Sequence, residues 1–194
     1  MIGVWPILAA LCLCLHATAA PAEPAGQIAS LIQPSKLATL GERKANPRVQ
    51  KVVYWLSVAR TEGRDVAVVA ASAVAKAGYP TKLAAQLTVD AMLRNLDIAG
   101  KLGCLDKAGL KEMRQGKAPT VMKGPFKGDQ LSVDHIIPRA VCPELDNVIA
   151  NLELMPLRMN ESKNARIGDR QRDMARKFHQ AGLLSTNGLK TVLR

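Results

Sequence analysis

The stretch from Gly116 to Gln130, GKAPTVMKGPFKGDQ, divides the chain. It holds three Gly, two Pro and three Lys (Lys117, Lys123, Lys127). Gly and Pro at that density interrupt helix and strand alike. Residues 116–130 therefore read as a basic loop between two regions of different periodicity. Upstream, residues 47–115 are rich in Ala, Val and Leu at helical spacing. Downstream lies the first clear alternating run, LSVDHIIPRA, followed by a second short apolar run, NLELMP. Period-2 patterning that appears only after a helical region predicts an α+β chain, with a mostly helical N-terminal region and a small sheet in its last third.

Within the helical region, Pro47 stands where a helix can start, with Asn46 as a candidate cap. Val49, Val52, Val53, Leu56 and Ala59 recur at helical spacing, and Gly63 ends the segment. Asp65–Ala77 reads as a second helix stopped by Gly78. A third is expected from Pro80 to about Gly100, with Leu83, Leu87, Ala91, Leu93 and Leu96 as its apolar side. Asp106–Gln115 is a fourth. Residues 21–46 carry Pro21, Pro24, Pro34, Gly26 and Gly41, and predict an extended leader with at most one short helix within 28–40. After the second apolar run, the segment from Leu157 to Gly182 is charged and helix-compatible, with Gly168 as a break.

Residues 1–20, MIGVWPILAALCLCLHATAA, contain no Asp, Glu, Lys or Arg. The apolar run is too short to anchor a chain across a bilayer, and Ala17-Thr18-Ala19 fits a signal-peptidase site. The segment resembles a secretory signal peptide, although its start lacks Lys and Arg. A secreted or periplasmic protein is expected, with no membrane anchor after cleavage. Of four Cys, Cys104 and Cys142 remain in the mature chain. In an oxidising compartment they could form one disulfide; two buried free thiols are the alternative. The count excludes a four-cysteine zinc site.

The charge points to the partner. There are 27 Lys+Arg against 16 Asp+Glu, a formal net charge of +11. Such a surplus favours a polyanion. Only 3% of residues are aromatic, too few for a large base-stacking platform on single strands.

The chemistry concentrates in Val133–Arg166, VDHIIPRAVCPELDNVIANLELMPLRMNESKNAR. Asp134 and His135 are neighbours on a strand and should face opposite ways. Both can serve one site only where the strand ends or distorts, and Pro138 makes such an ending plausible. Asn147, Asn151, Asn160 and Asn164 lie downstream as polar groups able to meet them. Asn151 opens an apolar run, where a buried amide needs hydrogen-bond partners.

The ordered motifs D-H-I-I-P, N-L-E-L-M-P and N-E-S-K resemble the HNH endonucleases of the ββα-metal superfamily. The resemblance covers about 35–45 residues and excludes the helical half. Asn160 stands where many members carry His, which is the HNN variant. The Cys pairs that hold structural zinc in some members are absent. The resemblance implies a ββα-metal core within residues 131–194. It implies His135 as general base, Asp134 and Asn160 as ligands of one divalent cation, and Asn151 as the residue that fixes the loop and orients His135. A carboxylate and an amide oxygen are hard ligands that suit Mg²⁺, and Mn²⁺ fits the same pair. Arg158, Lys163 and Arg166 are the candidate phosphate contacts. Nucleic acid is the implied substrate, with DNA favoured over RNA, cut to 5′-phosphate and 3′-hydroxyl ends. No base-reading helix is evident, so binding should be directed at the backbone with little sequence specificity. A non-catalytic basic nucleic-acid-binding protein with a degenerate core is the alternative.

Overall fold

The computed structural model describes residues 23–163 and 165–194. The signal-like segment and Asn164 lie outside the described residues. The chain is α+β. Helices α1 (Pro24–Ile32), α2 (Pro34–Leu37), α3 (Asn46–Thr61), α4 (Val66–Ala77), α5 (Lys82–Lys101) and α6 (Lys107–Gln115) come first. Strands β1 (Leu131–His135) and β2 (Leu152–Pro156) follow, and then α7 (Leu157–Ser162), α8 (Asp169–Gln180) and α9 (Thr186–Leu193). No described helix is long and apolar enough to cross a membrane.

The leader is not extended. Pro24 and Pro34 each occupy the opening position of a helix, where a missing N–H costs nothing. Prolines that look like breakers are therefore starts. Ala25, Ile28, Ala29 and Ile32 then recur at helical spacing and are buried. They pack α1 between α3 and α4. Ile28 and Ile32 are fully buried, which stabilises by about 1.5–3 kcal/mol each.

Asp65 caps α4 by accepting from the Ala67 and Val68 N–H groups at 2.8 and 3.3 Å. Gly78 closes it in the left-handed region at φ 76°, where a Cβ would be strained. Thr81 caps α5 and Asp106 caps α6. Asn46 is not the cap of α3. It lies inside the first turn, and its side-chain oxygen is buried without a partner. The inner face of α5 keeps Ala91 and Leu96 as expected, with Leu87 and Leu93 half-buried, but departs from the expectation at Leu83. Ala84, Ala91, Met92, Leu96 and Ala99 are buried, whereas Leu83 is exposed.

β1 and β2 pair antiparallel, with Asp134 opposite Glu153 and His135 opposite Leu152. Two strands leave two open edges, and unpaired backbone groups there are costly when buried. Buried amides from the helical half close both edges. Gln50 Nε2 of α3 donates to Leu131 O at 2.8 Å. Asn95 of α5 imitates a third strand, donating to Leu152 O at 3.0 Å and accepting from Leu154 N at 2.9 Å.

The main core runs across the basic loop. Leu131, Ile149, Leu152 and Leu154 join the buried residues of α1, α3, α4 and α5 in one cluster. The loop itself is ordered by a bridge between Thr120 and Gln130 and by buried Val121, while its lysines face solvent. A second cluster joins Ile137, Cys142, Leu145 and Ala150 to Ala175, Phe178, Leu184 and Val192. It pins the 136–151 connection against α8 and α9.

Cys104 and Cys142 are both buried and free, one in each cluster. No disulfide joins them. Burial pushes each thiol up to about 11.

Candidate active site

A cleft of about 230 Å³ opens beside the end of β1. Asp134, His135, Pro138 and Arg139 line one side, Asn160, Glu161 and Lys163 another, and Arg43 reaches it from the helical half. Three of the four residues that the motifs single out thus meet in one place. The strand ends at His135, so its neighbour Asp134 and His135 can both border the cleft.

His135 is 6% exposed. Its Nε2 lies 3.0 Å from Asp146 O and 2.9 Å from Asp146 Oδ1. A carbonyl and a carboxylate are both acceptors, so Nε2 must carry the proton in the neutral ring. Nδ1 is then the nitrogen with a lone pair, and hence the basic atom.

Asn160 is oriented by the same logic. Ser132 Oγ donates its proton to Met155 O at 3.0 Å. It can meet Asn160 at 3.1 Å only as an acceptor, so the amide nitrogen faces Ser132. The amide oxygen is left for the cleft.

Asp134 Oδ2 accepts from Lys163 Nζ at 2.6 Å, and the same ammonium donates to His135 O at 3.0 Å. Lys163 is therefore a cleft residue, but it is engaged with Asp134. Among the described residues no cluster of three or more His, Cys, Asp or Glu is arranged to hold a metal. The donors that converge are one carboxylate and one amide oxygen. Such a set fits Mg²⁺ or Mn²⁺, which draw their remaining ligands from water and phosphate.

Asn151 is fully buried, and its side-chain hydrogen bonds go to the backbone rather than to the imidazole. Its Oδ1 accepts from Ile137 N at 2.8 Å, and its Nδ2 donates to Ile137 O at 3.1 Å and Leu145 O at 3.3 Å. The Asn151 carbonyl also accepts from Ile136 N at 2.8 Å. It staples the chain immediately after His135, fixing the loop rather than the ring.

The other two cations do not line the cleft. Arg158 lies 3.4 Å from Asp129 Oδ2 and stacks over Phe126. Asp129 also accepts from Arg158 N at 2.9 Å, which fastens the start of α7. These donors hold its carboxyl below the usual carboxylate range. Arg166 is exposed.

The motifs did not single out Asp146, Arg43 or Arg139. Asp146 meets His135 across a loop of no regular period, so spacing carries no sign of it. Arg43 lies in the leader, far away in sequence. Arg139 follows the D-H-I-I-P motif directly, and its Nε is buried without a partner. That adjacency is the one signal that could have found it. Comparison with protein-family models, curated proteins and solved structures finds no match.

Proposed function

We propose that the chain is an exported, metal-dependent endonuclease of the HNN type, with β1, β2 and α7 as its ββα-metal core. It would hydrolyse phosphodiester bonds of nucleic acid, DNA before RNA, with low sequence specificity. The observation that carries this reading is the convergence of Asp134, His135 and Asn160 on one cleft, with Nδ1 and an amide oxygen free.

His135 Nδ1 takes a proton from a water molecule, whose oxygen forms the new bond to phosphorus as the bond to the 3′-oxygen breaks. Solvent supplies the proton for the leaving oxygen. Asp134 and Asn160 would hold the divalent cation, which supplies stabilisation of the charge on the phosphate and the leaving oxygen. Arg43 and Arg139 border the cleft; Arg43 attracts the phosphate backbone, and Arg139, whose Nη1 donates to Glu42 Oε1 at 2.7 Å, has its other guanidinium nitrogens to offer. Lys163 neutralises Asp134, and a cation at Asp134 has to compete with it.

That last contact favours a second reading. A cleft whose carboxylate is already paired to lysine can hold phosphate without cutting it, as a basic binding protein with a degenerate core would.

The test is cleavage of plasmid DNA and of a structured RNA by the purified chain with Mg²⁺, Mn²⁺ or EDTA, alongside His135→Ala. The expected result is metal-dependent cleavage that falls by about 10²–10⁴-fold in the variant. Salt-sensitive binding by a folded chain that cuts neither polymer would replace the nuclease reading with the second one.

A further inference from the structure

Asp146 is 7% exposed. Among the described residues no Lys or Arg pairs with it, and its only ionisable partner is His135. A buried carboxyl group is costly unless its oxygens find partners, and here they do.

Every polar atom of Asp146 is aimed. Its carbonyl and Oδ1 both receive His135 Nε2, at 3.0 and 2.9 Å. Its Oδ2 accepts from Arg43 N at 2.9 Å. Arg43 is the only non-glycine residue among those described with a left-handed backbone, at φ 55°. L residues adopt that conformation reluctantly, and here it accompanies an N–H aimed at Asp146 while the Arg43 side chain borders the cleft. Next door, Asn147 Oδ1 accepts from Ala45 N at 3.0 Å, and Asn147 Nδ2 donates to Leu40 O and Gly41 O at 3.3 and 3.2 Å. Residues 40–45 are thereby stitched to residues 146–147.

We infer that Asp146 is a positioning residue for His135, fixing the ring with its proton on Nε2, and that the helical half sets Asp146 through the Arg43 N–H. This rests on the nuclease reading for its catalytic sense. A clamp that served stability alone would need only Oδ2. Committing Oδ1 and the carbonyl to one ring nitrogen selects which nitrogen is basic.

Asparagine at 146 tests this directly. It has one oxygen and one NH₂ group. If the oxygen meets the Arg43 N–H, the NH₂ faces Nε2 and demands a lone pair there against the main-chain carbonyl of residue 146, which draws part of the ring population to Nδ1–H.

The experiment is ¹⁵N NMR of the imidazoles of the full chain, wild type and Asp146→Asn. Plasmid cleavage in Mg²⁺ and thermal unfolding are measured on the same samples. The wild type is expected to show neutral His135 with its proton on Nε2. Asp146→Asn is expected to move population to the Nδ1–H form and to lower kcat by about 10²-fold, with KM within about twofold. A wild-type ring protonated on Nδ1 overturns the inference with no variant needed, even if Asp146→Asn does not fold. An unchanged tautomer and kcat in a variant that only melts earlier overturns it too. A wild type that cuts neither plasmid DNA nor a structured RNA yet holds the Nε2–H form refutes the nuclease reading and leaves the geometry standing, so the two failures are distinguishable.

Discussion

The two faces of the small sheet are built from different materials. By register, Leu131, Val133, His135, Leu152 and Leu154 share one face, with His135 at its end, and Ser132, Asp134, Glu153 and Met155 share the other. The first face joins the main apolar core of the helical half. The second is ionic and amide-bonded. Asp134 pairs with Lys163, and Ser132 holds Asn160. Glu153 lies between Arg170 at 2.6 Å and Arg94 at 3.0 Å. Apolar burial is non-directional and tolerates no partner choice, whereas ion pairs and amides fix orientation. The dry face therefore decides where the sheet sits, and the polar face decides which way Asp134 and Asn160 point.

That contrast predicts a separation of effects. Asp134→Asn should abolish most cleavage, a loss of about 10²-fold or more, yet change stability by only about 0–1 kcal/mol, because its ion pair is partly solvated. Cleavage assays and urea unfolding on one preparation check both halves. Equal losses in both would erase the distinction between the faces. On the other side, Leu152→Ala should cost about 2–5 kcal/mol of stability. Loss of cleavage in that variant should track the unfolded fraction.

Asn95→Leu probes the seam between the two. It leaves Leu152 O and Leu154 N without their partners, for a cost of about 1–3 kcal/mol. Chemical denaturation and amide exchange at Leu154 would report it, and unaltered protection there would mean that water replaces the amide. The smallest effect should be acid sensitivity at Asp129. Its folded pKa is depressed by donors at the start of α7. Its contribution is therefore present above the unfolded value of about 3.9 and is lost as pH falls through the lower folded value. Asp129→Asn should flatten the acid limb of a stability profile, and an unchanged limb would exclude Asp129 as its cause.

β1 was legible from apolar Leu131 and Val133 alternating with Ser132 and Asp134, β2 only as the short apolar run NLELMP, whose five strand residues are all buried, and the adjacency of Asp134 and His135 stood out with them. The HNN resemblance drew attention to Asn151 and Asn160, and the structure places the first behind the cleft and the second in it. The leader misled because Pro24 and Pro34 are ambiguous in sequence: the same ring that breaks a helix starts one. Gln50 and Asn95 look like ordinary polar positions inside helices, and only the neighbouring sheet edges reveal what they bond. Asp146 was invisible for a related reason, since a bond between a loop carboxylate and a ring nitrogen has no period. Local patterns reveal elements, but partners a hundred residues apart leave no local trace.

The stitching of residues 40–45 to residues 146–147 bears on the order in which the molecule assembles. The Arg43–Asp146 bond joins positions 103 apart, and the Leu40–Asn147 bond spans 107. Closing loops of that size is entropically unfavourable, and such contacts form late in folding. During synthesis, α1 to α6 can collapse before β1 exists, but the His135 ring cannot be locked until Asn147 has emerged and returned to the leader. A nascent or truncated chain would carry the cleft residues without a set imidazole, so competence at this site arrives as one of the last events of folding.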